Sequence, residues 1–273
     1  MLKFVVCIKQ VPMVAELPWN SKTGTLRRDL AEGMMNPACR HALEAALQLK
    51  RKHGGHITVI SMGPPMAEEV LREAIALGAD RGLLLTDRRM AGADTFMTSG
   101  ILAQAIEKEC PDYHLILCGC HTSDSETAQV GPQLGDALDI PSVARVDVLD
   151  LHDKTVRMER IADGFLEVLE MDLPGLVTVS TEHYAPRYVE LAGLIDAFDQ
   201  KDIALLGVDD LGLDPDMSAL KESPTRILDV YSPTLEKKNV VLTGTARKVV
   251  DQLLETYGDK ISGAIEKDLE PLI

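Results

Sequence analysis

Five soft metal ligands crowd one short stretch: Cys110, His114, Cys118, Cys120 and His121 fall within twelve positions, a density that invites a metal centre. Their spacing matches no paired ligand pattern, and His114 and Cys118 lie in an apolar run that reads as a buried strand, where a thiol is an ordinary small hydrophobe. No metal site is therefore expected. The more informative stretch follows, from Gly119 through Ser123, Asp124, Thr127 and Gln129 to Gly131. A loop of this kind, leaving a parallel strand and opening a helix, can hold a phosphate on backbone amides without any Lys or Arg. Ser123 and Glu126 also have the spacing of a capping box, which would make the same loop a plain helix start.

Two further loops belong to the same edge. Lys9-Gln10-Val11-Pro12 follows the first strand, and Met62-Gly63-Pro64 follows the second. Gly63 lets backbone approach a ligand, and backbone groups of Cys7 or Met62 could pair with an adenine edge. Three strand ends converging on one crevice favour a nucleotide over a small metabolite. Asn36 before Pro37 reads as an N-cap with proline at the first helical position. There is no G-x-G-x-x-G, Walker A loop, H-E-x-x-H, paired C-x-x-C or G-x-S-x-G, so no catalytic residue is assigned.

The elements that must position these loops follow from periodicity. Residues 2–8, His56 to Met62, Gly82 to Thr86 and Tyr113 to Cys118 read as strands. Helices are expected over residues 38–52, Met66 to Leu77, Asp94 to Glu109 and Ser125 to Leu138. The strands are apolar on both faces, which calls for a parallel sheet covered by helices, an α/β fold. After Pro141 the texture changes to strands over Val143 to Leu149, Thr155 to Ile161 and Phe165 to Met171, with Asp163-Gly164 as a hairpin signal. Leu176 to Ser180 is one more strand. Asp196 to Asp216 is strongly acidic and reads as an extended arm, and Thr245 to Tyr257 as a closing helix that needs a partner to pack on.

Composition bounds the rest. Against 43 Asp plus Glu stand 28 Lys plus Arg, a net charge of −15 over 273 residues, which speaks against nucleic-acid binding. No apolar run approaches the roughly 18 residues of a membrane span. Five scattered cysteines fit reduced thiols, and Met1 to Ile8 is too short for a secretory segment, so a cytoplasmic location is expected.

Taken in order, Ile8-Lys9-Gln10-Val11-Pro12, Asn36-Pro37, Ser61-Met62-Gly63-Pro64, Ala76 to Arg81, Gly92-Ala93-Asp94-Thr95, Asp124 to Pro132 and Ala185-Pro186-Arg187-Tyr188 resemble the electron-transfer flavoprotein beta-subunit family. The resemblance implies a Rossmann-like nucleotide-binding domain over residues 1–195, with residues 196–273 as an arm and helix packing on an alpha subunit in an obligate heterodimer. It implies cofactor contacts from Cys7, Ile8, Lys9, Asn36, Met62, Gly63, Asp94, Thr95, Gly119, Asp124, Thr127, Ala128, Gln129 and Val130. Arg187, Tyr188 and Leu191 are implied as partner contacts, Leu191 as an apolar anchor for a flavin dehydrogenase. Family members carry either AMP or a second FAD in this crevice, and the second group oxidises NADH and bifurcates its electrons toward a carrier such as ferredoxin or flavodoxin. The form D-x-x-T-x-Q-V-G-P at Asp124 to Pro132 resembles the second-FAD group. A stand-alone adenine-nucleotide-binding regulatory module is the rival reading.

Overall fold

The computed structural model describes residues 1–13, 19–20, 25–26, 32–199, 203–225 and 240–269. In chain order the first half runs β1 Lys3–Cys7, β2 Gln10–Pro12, β3 Trp19–Asn20, β4 Thr25–Leu26, β5 Gly33–Met35, α1 Pro37–His53, β6 His56–Met62, α2 Glu68–Leu77, β7 Arg81–Leu85, α3 Thr95–Glu109, β8 Leu115–Gly119 and α4 Val130–Ala137. The second half adds β9 Ser142–Val146, β10 Val148–His152, β11 Thr155–Ala162, β12 Phe165–Asp172, β13 Gly175–Val179, α5 Leu191–Asp199, β14 Ile203–Leu206, α6 Val208–Leu211, α7 Ala219–Glu222 and α8 Ala246–Leu269.

Seven strands form one sheet in the order β14-β7-β6-β1-β8-β13-β9, with every pairing parallel. Its central strands bury both faces because helices cover both. Phe4, Val6, Ile57 and Val59 pack with α1 and α2 on one side, while Val5, Ile60, Leu83 and Ile116 pack with α3 and α4 on the other. The α/β reading of the sequence therefore holds, with β10-β11-β12 as a small separate antiparallel sheet. Asp163 and Gly164 both adopt positive φ at the β11–β12 turn, as a two-residue hairpin demands.

The order of strands fixes where a ligand can sit. From β1 the chain builds outward through β6 and β7, then returns to place β8 on the opposite side of β1. That reversal opens a crevice beyond the carboxyl ends of β1 and β8, the position at which open α/β sheets take ligands.

Three expectations change at element level. The helix expected from Ser125 begins only at Val130, because Glu126 and Ala128 take φ of 50° and 55°, which no right-handed helix accommodates. The strand expected over Val143 to Leu149 divides between two sheets: β9 edges the parallel sheet and β10 joins the antiparallel one. Arg145, with φ 59°, lies in β9 where its register against β13 shifts, just before the chain passes to β10. Finally, the acidic stretch Asp196 to Asp216 carries short elements of its own. β14 pairs with β7, and α6 buries Val208 and Leu211 in the α3-side core. Asp196, Asp209, Asp210, Asp214 and Asp216 stay outside, Asp209 paired with Arg89 at 2.8 Å.

Residues 1–228 and 229–273 form two compact units. In the second, α8 exposes Val250, Leu253 and Leu254. No helix among the described residues is long and apolar enough to cross a membrane.

Candidate functional site

The loop beyond β8 is held from two directions. Asn36, at the head of α1 and almost fully buried, donates from Nδ2 to the His121 carbonyl at 2.8 Å. Its Oδ1 accepts the Ser123 amide at 3.0 Å. The side chain thus pairs with the loop backbone as a neighbouring strand would; Asn36 stands at the N-cap of α1 with Pro37 at the first helical position, as read from the sequence, but its side chain makes no capping bond to its own helix. From the other direction, Lys9 at the end of β1 donates to both carboxylate oxygens of Asp124 at 2.8 Å. Asp124 is nearly buried at 9% side-chain exposure while Lys9 keeps 41%. The ion pair cements the loop to the segment after β1.

With residues 121–124 fixed, the chain turns through Thr122. The Glu126 amide donates to the Thr122 carbonyl at 2.8 Å, and the hydroxyls of Thr122 and Ser125 meet at 3.0 Å. The positive φ at Glu126 and Ala128 then alternates with ordinary backbone, the pattern that makes concave nests of N–H groups. Among the described residues, the amides of Thr127, Ala128, Gln129 and Val130 donate to no protein group. All but Val130 belong to exposed residues, so water meets these amides and an incoming anion can replace it. This donor set fits a phosphate-bearing group, since the amides and the start of α4 supply positive potential.

Glycines bring the helices close enough to frame the loop. A Cβ on Gly119 would lie 2.6 Å from the Ala38 carbonyl carbon, so its missing side chain admits the backbone of α1. One on Gly131 would collide with Thr178 Cγ2, so the bare glycine lets α4 lie tight on β13. The α4 head is also held from α3. Thr95 donates to Gln129 Oε1 at 3.0 Å, and the buried Ser99 hydroxyl lies 3.2 Å from the Val130 carbonyl. Asp94 caps α3, accepting the Met97 amide at 3.0 Å.

Lys9, Asn36, Asp124, Thr95 and Gln129 are therefore brought together by direct bonds, with Gly119, Thr127, Ala128 and Val130 on the same stretch of chain. Cys7, Ile8, Met62 and Gly63 end the neighbouring strands. The Ile8 amide donates to Ile60 at 2.9 Å and the Gly63 amide to Leu85 at 3.0 Å, so both are committed to the sheet. Cys7 lies opposite Cys118 in register; the contact between the two thiols, together with burial, pushes the Cys7 thiol up. All five cysteines are free and buried.

The remaining candidates lie elsewhere. Arg187 makes a paired contact with buried Glu44 of α1, at 2.7 and 3.0 Å. Beside it Tyr188 is 95% exposed and Leu191 75%. Leu191 opens α5, which packs on α2 so closely that a Cβ on Gly193 would meet the Ala76 carbonyl oxygen. Residues that sequence reasoning passed over include Glu44, Ser99, Ser223 and Thr225. The last two bond Asp94, and the turn-forming run Ser223-Pro224-Thr225 was the available signal.

Comparison with known proteins identifies the family. A family model described as the electron transfer flavoprotein domain matches residues 23–211. The electron transfer flavoprotein subunit beta of Thermoanaerobacterium thermosaccharolyticum is 40% identical over 259 residues, covering 95% of this chain and 99% of that protein. Caffeyl-CoA reductase-Etf complex subunit CarD of Acetobacterium woodii is 39% identical, covering 95% and 99%. Acryloyl-CoA reductase electron transfer subunit gamma of Anaerotignum propionicum is 35% identical over the same shares, 95% and 99%. A crevice at the sheet's switch point, a family match over most of the chain and relatives of nearly equal length lead to one conclusion: the chain belongs to the electron transfer flavoprotein family, as a beta subunit.

Proposed function

We propose that this beta subunit holds an adenine nucleotide in the crevice between β1 and β8, favouring FAD over AMP, and pairs with an alpha subunit to carry electrons between NADH, a flavin dehydrogenase or reductase, and a further redox carrier. The observation that carries the reading is the row of unspent amides at Thr127 to Val130, held open by Asn36 and by the Lys9–Asp124 pair. Thr127, Ala128, Gln129 and Val130 would hold the pyrophosphate through these amides, and Cys7, Ile8 and Met62 would flank the adenine. Asp124 is tied to Lys9, so it orients the loop and keeps its charge away from the phosphates.

A flavin bound there supplies hydride uptake and one-electron release; the protein contributes position and electrostatics. Asn36 holds the peptide groups at 121 and 123, Thr95 holds Gln129 at the head of α4, and the buried sheet ends exclude water from below. The preference for FAD rests on the run Asp124 to Pro132 and on relatives named for caffeyl-CoA and acryloyl-CoA reductase systems, which suit a carrier feeding a reductase. The exposed Tyr188 and Leu191, steadied by the Arg187–Glu44 pair, would meet that enzyme.

The test is to co-express the chain with its alpha subunit and mix the purified complex with NADH. Bleaching of the visible flavin band on mixing supports the NADH-oxidising reading. A yellow complex untouched by NADH would support the AMP-type carrier, and a colourless monomer retaining ATP would support the regulatory module.

A further inference from the structure

Asp94 heads α3 beside the crevice, yet its carboxylate faces away from any ligand role. One oxygen accepts the Met97 amide at 3.0 Å. The other accepts both the Thr225 amide, at 2.9 Å, and the Thr225 hydroxyl. The Asp94 amide in turn donates to Ser223 Oγ at 2.9 Å, and that buried hydroxyl donates to the Ala219 carbonyl at 2.6 Å. Residues 217–225 are thereby seated on the turn before α3. Met217 and Ala219 enter the α3-side core near Met90. Leu220 fills the space where a Cβ on Gly92 would be, 2.8 Å from its Cδ1, at a backbone φ of 78° that glycine supplies. From the same helix head, Thr95 reaches Gln129 at the start of α4. One turn of α3 therefore touches segment 217–225 with one residue and the amide-bearing loop with the next.

We infer that Asp94 is a positioning residue that couples the seating of segment 217–225 to nucleotide binding in the crevice, acting through Thr95 and Gln129 rather than by touching the nucleotide. When Thr225 and Ser223 hold Asp94, the α3 head is fixed and Thr95 holds Gln129 where the loop amides converge. When they release it, the head of α3 and with it Gln129 gain freedom, and the bound nucleotide loses a preorganised wall. The coupling runs both ways, because a nucleotide that favours the seated α3 head must favour the seated segment by the same factor. Protonation of Asp94 would weaken the hold; burial raises its carboxyl, but the Met97 and Thr225 bonds carry it below the ordinary carboxylate range, so the clasp persists at neutral pH. The inference rests on the proposal that the crevice takes an adenine nucleotide.

Full-length wild type, Thr225→Val and Thr225→Ser separate the possibilities. Each is titrated with FAD and with AMP by calorimetry, melted, and followed by amide exchange over residues 217–225 with and without nucleotide. Thr225→Val removes one hydroxyl at an exposed position and should weaken the nucleotide by about fivefold or more, the lower end of ordinary coupling between sites. Thr225→Ser, which keeps the hydroxyl, should restore affinity. Saturating nucleotide should slow exchange of the Thr225 amide in wild type. A Thr225→Val protein that melts lower but binds as wild type does would overturn the coupling and leave Thr225 a local packing residue, as would exchange at Thr225 indifferent to nucleotide. Wild type that takes up neither FAD nor AMP would instead overturn the nucleotide reading, and the coupling with it.

Discussion

Asn36 shows how much one buried amide can decide. Its two side-chain bonds to the His121 carbonyl and Ser123 amide satisfy loop backbone that has no strand to pair with, and an unpaired buried peptide group costs about 1 to 3 kcal/mol. Asn36→Asp keeps the acceptor for Ser123 but sets a carboxylate oxygen against the His121 carbonyl. The expected outcome is a loss of nucleotide affinity on the order of tenfold, read by titration, with a lower melting temperature from the same lost bond. The sequence at Asn36-Pro37 is equally good as a helix cap, and nothing in the residue types distinguishes capping from clamping a loop 85 residues away. Glu44 offers a second test at this scale. Burial alone would raise its carboxyl, yet the Arg187 and Gln48 hydrogen bonds carry it below its ordinary value of 4.5. Its contribution to stability is therefore complete above about pH 4.5 and fades as pH falls through the lower native value. Glu44→Gln should flatten the dependence of unfolding free energy on pH in that acid range, measured by denaturant titration at a series of pH values.

At the scale of elements, the strands were legible because they are apolar on both faces. β6 occupies His56–Met62 as its pattern requires, and Asp94 caps α3 where the sequence places it. The start of α4 was not legible. Glu126 and Ala128 carry no residue-type signal for positive φ, and Ser123 sits in a capping spacing whose amide is already taken by Asn36. Likewise the run after Pro141 has the alternation of one strand, and only its pairing partners divide it between two sheets. β14 escaped notice because four apolar residues in an acidic stretch read as arm, although β7 offers them an open edge. This placement gives a prediction about truncation. A chain ending at residue 228 retains β14, α6 and the buried Met217 and Ala219, so it should melt cooperatively near the full-length temperature. A chain ending at residue 195 loses the strand on β7 and uncovers Leu83 and Leu85, and its melting should fall by several degrees or lose cooperativity, as loss of roughly 2 to 5 kcal/mol of core packing would require. Equal melting of the two truncated chains would show that β14 contributes little to the sheet.

For the whole molecule, the nucleotide we propose rests on the sheet order and on the loop over β8, since the chain has no familiar glycine-rich phosphate motif. The switch between β1 and β8 makes the crevice, Asn36 and Lys9 shape its rim, and the backbone supplies the donors. A charge of −15 speaks against nucleic acid, and a ligand held by amides needs few compensating cations. Residues 229–273 form a unit of their own whose helix α8 carries exposed Val250, Leu253 and Leu254; we propose that it packs on the alpha subunit. The most direct test of the central claim is acid extraction of the purified complex, with flavin and adenine nucleotide counted against each chain. Two FAD per complex and no AMP, falling to one FAD when Asn36→Asp opens the loop, is the expected result. One FAD with one AMP would contradict the preference for FAD, and one FAD with no second nucleotide of any kind in the wild-type complex would contradict the nucleotide reading altogether.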